Sequence, residues 1–229
     1  MARAPIKHPE AIPVTGTDAH LAALVPAQLS AIALRARLGR PLPPAAIPGD
    51  SGARPETLRA AAVLVALVER ENGLAVLLTR RTDHLYDHPG QISFPGGRTD
   101  EGDIDHIHTA LREAEEEVGL ARSHIEVIGQ LPLYTTVTGY AVTPVVGLVQ
   151  PGFELRLDTF EVAEAFEVPL AYLMTPAHHR RHEVKFAGER RRFLSMPWHG
   201  RGTAGVEREF FIWGATAAML RNLYHVLGS

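Results

Sequence analysis

The chain has 229 residues, 45% of them hydrophobic and 21% charged, which suits one globular domain with an extension and allows a sizeable core. A net charge of −3 argues against nonspecific binding to nucleic acid or to an anionic membrane, and the lack of cysteine excludes disulfides, thiolate metal sites and a cysteine nucleophile. No apolar run is long enough to span a bilayer and the first residues lack a signal-peptide core, so the expected location is cytoplasmic.

Residues 1–18 are Pro-rich and without periodicity. Residues 18–38 are spaced as an amphipathic helix with Asp18 as N-cap, or as a shorter one begun near Pro26, a residue tolerated in a first turn. The Pro/Gly-rich stretch 39–56 closes an N-terminal extension, residues 1–56, and a main domain follows over residues 57–229. There "AAAVLVALVE" reads as a buried strand, "RENG" as a turn and "LAVLLTRR" as the partner strand of a hairpin. The long segment "TDHLYDHPGQISFPGG" leads into an acidic helix that stops at Gly119. "IEVIGQLPLYT" and "YAVTPVVGLV" are strand candidates, and "TFEVAEAF" is a short helical or turn segment. "HEVKFAGERRRFLSM" resembles a hairpin around Ala187-Gly188, and "FFIWGATAAMLRNLYHVL" reads as a closing helix. Strands and helices intermix without a regular βαβ alternation, which favours a mixed sheet between helices.

The acidic helix carries the chemistry. At 3.6 residues per turn Ile104, Ile107, Leu111, Ala114 and Val118 form one apolar stripe. Glu113, Glu116 and Glu117 fall on the other side, with small Thr109 and Ala110 continuing that face. A solvated acidic face is the ordinary reading of such a cluster, since each like-charge pair costs only ~0.2–0.5 kcal/mol. The sharper reading is a divalent-cation site, because hard cations prefer clustered carboxylate oxygens.

Context favours the second. "FPGG", residues 94–97, precedes the helix, and the pattern runs Gly97, Asp103, Arg112, Glu113, Ala114, Glu116, Glu117, Gly119, Leu120. This resembles the signature of the Nudix hydrolase family. It departs in two ways: Asp103 stands where the family has Glu, and eight residues rather than seven separate it from Arg112. "LLTRRTDHLYDHPGQISFPGG" is similar to the additional signature of the coenzyme A pyrophosphatase branch, in which both departures are common. "TGYAVTPVVGLV", "EVAEAFEVPL" and "IWGATAAML" extend the likeness over roughly residues 57–225.

The resemblance implies an α/β fold, a Nudix-type α/β/α sandwich with a mixed sheet, plus the N-terminal helical extension. It implies a hydrolase using Mg²⁺ or Mn²⁺ to cleave the pyrophosphate bond of coenzyme A. Glu116 and Glu117 are the expected first metal ligands, with the Gly97 carbonyl as a backbone ligand. Glu113 is a further ligand or the general base, and Arg112 orients it. Glu161 is a candidate outer carboxylate, with Glu164, one helical turn on, as its competitor. Arg80, Arg81, His88 and Gln91 lie in the branch-specific segment, and Arg80 and Gln91 are the favoured substrate contacts. The alternatives are a Nudix pyrophosphatase for ADP-ribose, NADH or a dinucleoside polyphosphate, and a nonhydrolytic nucleotide-sensing module. The expected partner is a small nucleotide, not nucleic acid or membrane, with a homodimer as an option. The basic run "HHRRHEVKFAGERRRF" reads first as a solvated hairpin.

Overall fold

In chain order the computed structural model, which describes residues 6, 8–50, 57–85, 89–186 and 189–229, carries β1 (Val14–Thr17), α1 (Ala31–Leu38), β2 (Arg59–Arg70), β3 (Gly73–Arg81), β4 (Ile92–Ser93) and β5 (Gly96–Arg98). Then come α2 (His106–Val118), β6 (Ile125–Gln130), β7 (Tyr134–Thr135), β8 (Tyr140–Val149), β9 (Val162–Pro169) and α3 (Leu170–Leu173). β10 (Arg180–Phe186), β11 (Glu189–Arg201), β12 (Glu207–Trp213) and α4 (Gly214–Leu227) complete it.

β2 is the central strand. Its apolar run is continuous because both faces are covered. Ala62, Leu64, Ala66 and Val68 pack with Ala110, Ala114 and Val118 of α2. Ala61, Val65 and Leu67 join a larger core with α1 and α4. This gives the expected α/β/α layering about a mixed sheet. β2 runs parallel to β8 from Arg59↔Tyr140 to Val68↔Val149 and antiparallel to β3 only over 67–70. Beyond that the two strands part. β5 takes the freed edge of β2 at 61–63, and β4 takes that of β3 at Thr79 and Arg80. The divergence opens the sheet where "FPGG" turns, and that is where the acidic helix begins. A second, antiparallel sheet has the order β1-β10-β11-β12.

Several elements differ from expectation. The helix foreseen over 18–38 is a 3-10 turn at Pro26–Leu29 followed by α1, capped by the Ser30 hydroxyl accepting from Ala33 N at 3.3 Å. Asp18 is no cap; its carboxylate pairs with Arg181 and Arg221 at 3.3 and 3.2 Å. "TFEVAEAF" is not helical: from Val162 it is strand β9, bound along β3. Ladder pairing there outweighs the helical leaning of its Ala and Glu residues. The closing helix starts four residues late, since the aromatic, β-branched "FFIW" belongs to β12 and Gly214 (φ 61) makes the break. The stripe on α2 also shifts. Ile104 precedes the helix and is 85% exposed, while Thr109 and Ala110 are fully buried beside Ala114, Val118 and Glu117. Part of the basic run is interior too: His179 and His182 are buried. Its tip, Ala187-Gly188, lies outside the described residues.

The N-terminal extension is built onto the rest. β1 pairs with β10, Leu34 and Leu38 enter the larger core, and the Asn222 side chain on α4 clasps both the N–H and C=O of Ile47 at 2.8 Å.

Candidate active site

α2 starts at Asp105, whose side chain accepts from His108 N at 2.7 Å, and ends at Gly119 in the left-handed region (φ 70). Asp103, just ahead of the helix, is almost wholly enclosed. Its carboxylate accepts from Arg112 Nε and Nη2 at 3.0 and 2.9 Å, from His108 Nδ1 at 2.7 Å, from the Thr109 hydroxyl at 2.9 Å and from Asp100 N at 3.0 Å. The Arg112 guanidinium, followed by burial in the opposite sense and then these other donors, holds the Asp103 carboxyl far below the usual carboxylate range. Asp103 is thus a clamp for the loop and for Arg112. Its one-carbon-shorter side chain fits because the donors close in around it.

Arg112 radiates from that clamp. Nη2 also donates to the Arg98 carbonyl at 3.0 Å, while Nη1 reaches Glu113 Oε1 at 3.0 Å and Glu116 Oε2 at 2.8 Å. Glu113 and Glu117 are in a different condition. Glu117 is 5% exposed; its Oε2 accepts from Gly96 N at 3.2 Å, and Arg81 Nη1 stands 3.9 Å from Oε1. Burial pushes its carboxyl up to about 8; the Glu113 and Glu161 charges add to this, and the Gly96 N–H and Arg81 oppose it. Burial likewise raises Glu113, against Arg112 and with the charges of Glu116 and Glu161. Glu116 stays exposed.

Glycine sets how close the strand comes. A Cβ on Gly97 would lie 2.5 Å from the Glu113 carboxylate, so only hydrogen fits there. The expected backbone ligand is nevertheless corrected. Leu64 N donates to the Pro95 carbonyl and Thr99 N to that of Ala60. With the alternating pattern of an antiparallel ladder, Ala62 and Gly97 are then the hydrogen-bonded pair, and the Gly97 C=O faces β2. Gly96 falls outside the hydrogen-bonded pairs of this ladder, and its N–H donates to Glu117 Oε2.

The other foreseen residues divide. The charge of Glu161 raises the carboxyls of both Glu113 and Glu117. Glu164 is buried on the far side of the sheet, 3.6 Å from Arg208 Nε. Arg80 is directed away as well, with Nη1 on Asp83 at 3.1 Å; Arg81 is the guanidinium that meets the site. Arg81 shares with Leu77 the face of β3 that packs on α2. Gln91 accepts from Arg81 N through its carbonyl, and its side chain lies by Gly214 on the α4 side. His88 lies outside the described residues.

The donor set fits a hard divalent cation. Its oxygens come from carboxylates whose charge burial and mutual repulsion disfavour, which is the penalty a cation relieves. Among the described residues no three such groups converge at ligating distance, because Arg112 Nη1 lies between Glu113 and Glu116.

A family model described as the NUDIX domain matches residues 58–187. An uncharacterized Nudix hydrolase of Escherichia coli K12, NudL, is 41% identical over 175 residues, covering 76% of this chain and 86% of that protein. NudL of Shigella boydii serotype 18 matches to the same extent. Among solved structures, an Ap4A hydrolase of C. elegans in a binary complex has a TM-score of 0.43 at 19% identity, covering 52% of this chain and 86% of that one.

Proposed function

This chain belongs to the Nudix hydrolase family, and we propose that it hydrolyses the pyrophosphate bond of coenzyme A or its derivatives with Mg²⁺ or Mn²⁺. The observation that carries the hydrolytic reading is the buried Glu117 on the Gly96 N–H and Glu113 against Gly97, on a helix that Asp103 and Arg112 hold in place. The coenzyme A reading rests on the segment 77–97, which leads β3 into the site.

A pyrophosphate is anionic, and so is this cluster. A divalent cation held by Glu116, Glu117 and the Gly96 carbonyl would neutralise the phosphoryl oxygens and acidify water. The chain's own residues do the rest. Arg112 fixes the Glu113 carboxylate in position, and the raised proton affinity of Glu113 suits it to receive the proton of an attacking water. Glu161, from the turn before β9, is the second acid placed to do so. The oxygen of water bonds to one phosphorus, the bridging P–O bond breaks, and the bridging oxygen leaves with the other phosphate. The products are 4′-phosphopantetheine and adenosine 3′,5′-bisphosphate.

The test is chromatography of products after incubation with either metal and a panel of coenzyme A, acetyl-coenzyme A, dephospho-coenzyme A, ADP-ribose, NADH and a dinucleoside polyphosphate. Metal-dependent release of adenosine 3′,5′-bisphosphate, faster than any other product, is expected. Faster turnover of another member would remove the coenzyme A assignment, and no turnover of any would remove the hydrolase reading.

A further inference from the structure

Arg59 and Arg98 converge on one tyrosine. Arg59 opens β2 opposite Tyr140, and Arg98 ends β5 opposite Ala61, so pleating sends all three side chains to the same face of the sheet. The Arg59 guanidinium lies 4.2 Å from the Tyr140 ring centroid and that of Arg98 5.5 Å, with Arg98 Nε donating to the Tyr140 hydroxyl at 2.6 Å. Two like charges are thereby gathered at one point of the surface. Other arginines meet acids: Arg35 pairs with Glu126, and Arg70 with Glu167. Among the described residues neither Arg59 nor Arg98 has a carboxylate partner.

The trio is held firmly. Thr136 N donates to the Tyr140 carbonyl at 2.9 Å and Tyr140 N to the Thr136 hydroxyl at 3.0 Å, while Asp50 accepts from Val137 N at 2.8 Å. Arg59 Nη2 donates to the Thr138 carbonyl at 3.4 Å. Among the described residues both Nη groups of Arg98, Arg59 Nη1 and the hydroxyl proton of Tyr140 are left to donate. The place is also tied to the glutamates. Arg98 follows Gly97, which touches Glu113, and the Arg98 carbonyl accepts from Arg112.

We propose that Arg59, Arg98 and Tyr140 form a subsite for a phosphate monoester of the substrate, separate from the pyrophosphate that is cleaved. Guanidinium forks match phosphate oxygens in pairs, and the tyrosine hydroxyl supplies a further donor. Arg98 lies one strand residue after Gly97, and the trio is on the sheet face away from α2. This rests on the reading of the chain as a hydrolase of a nucleotide carrying an extra phosphate, and its test is kept independent of turnover.

The experiment is calorimetric titration of the metal-free protein with adenosine 3′,5′-bisphosphate and with AMP, which lacks the 3′ monoester. The bisphosphate is expected to bind at least tenfold more tightly. Arg59→Ala and Arg98→Ala should each erase most of that preference, with AMP affinity unchanged. Arg59→Lys should restore part of it, and Tyr140→Phe, which keeps the ring, should reduce it less. Equal binding of the two nucleotides by the native chain, or equal loss of both in the arginine variants, would overturn the subsite. Preferential binding without hydrolysis of any diphosphate would keep the subsite and sink the enzymatic reading. Hydrolysis of coenzyme A with no such preference would do the opposite.

Discussion

Asp103 and Glu117 are buried carboxylates that touch the same helix, yet their surroundings are opposite. Asp103 is ringed by Arg112, His108, Thr109 and the Asp100 N–H, and it keeps its charge more readily than a free aspartate. Glu117 has one backbone N–H, a distant guanidinium and two acidic neighbours, and it holds its charge with difficulty. The contrast separates a carboxylate that keeps the loop closed from one maintained in a costly state for what it binds.

The sharpest way to probe that contrast is Glu117→Gln. Metal-dependent hydrolysis should fall on the order of a thousandfold, while the melting temperature of the metal-free protein at neutral pH holds or rises. Undiminished turnover by the folded variant would remove Glu117 from the site. Asp103→Ala should act through stability instead, leaving Arg112 without its main partner and costing roughly 3 to 5 kcal/mol, as read by chemical denaturation. A loss of activity at unchanged stability would show that Asp103 is more than a clamp.

The pH dependence tests both at once. Glu117 binds its proton more tightly folded than unfolded, so its contribution to stability falls as pH rises from about 4.5 toward about 8. The metal-free native chain should therefore lose several degrees of melting temperature across that window, and Glu117→Gln should flatten the profile. Asp103 works in the other direction: its contribution is present above the ordinary value near 3.8 and is lost as pH falls below it. A smaller effect should follow Thr109→Val, which deletes one hydroxyl donor to Asp103, at about 1 kcal/mol.

What could be read before any fold was known was the local part. The spacing of Glu113, Glu116 and Glu117 depends on helical period alone, and the run from residue 60 to 69 depends on composition. Residues whose role depends on strand parity could not be placed that way. Glu161 and Glu164 would share a face on a helix, but Glu164 lies in β9 and Glu161 in the turn before it. Arg80 and Arg81 are neighbours that the pleat sends to opposite sides of the sheet. The choice between the Gly96 and Gly97 carbonyls turns on which ladder pair is hydrogen-bonded, and only the register with β2 decides it. Asp103 was legible as a departure from a pattern, but its enclosure depends on how the loop at 98–105 folds back on Arg112.

β1 is only four residues long, and Pro13 stands before it, yet it lies along the outer edge of β10. Without it, β10 would present a row of unsatisfied N–H and C=O groups, and a second molecule could complete them. A chain begun at residue 57 would also uncover the apolar surface on which Leu34 and Leu38 rest. β1 and α1 thus cover surfaces open to self-association, and their removal should show first as turbidity on concentration.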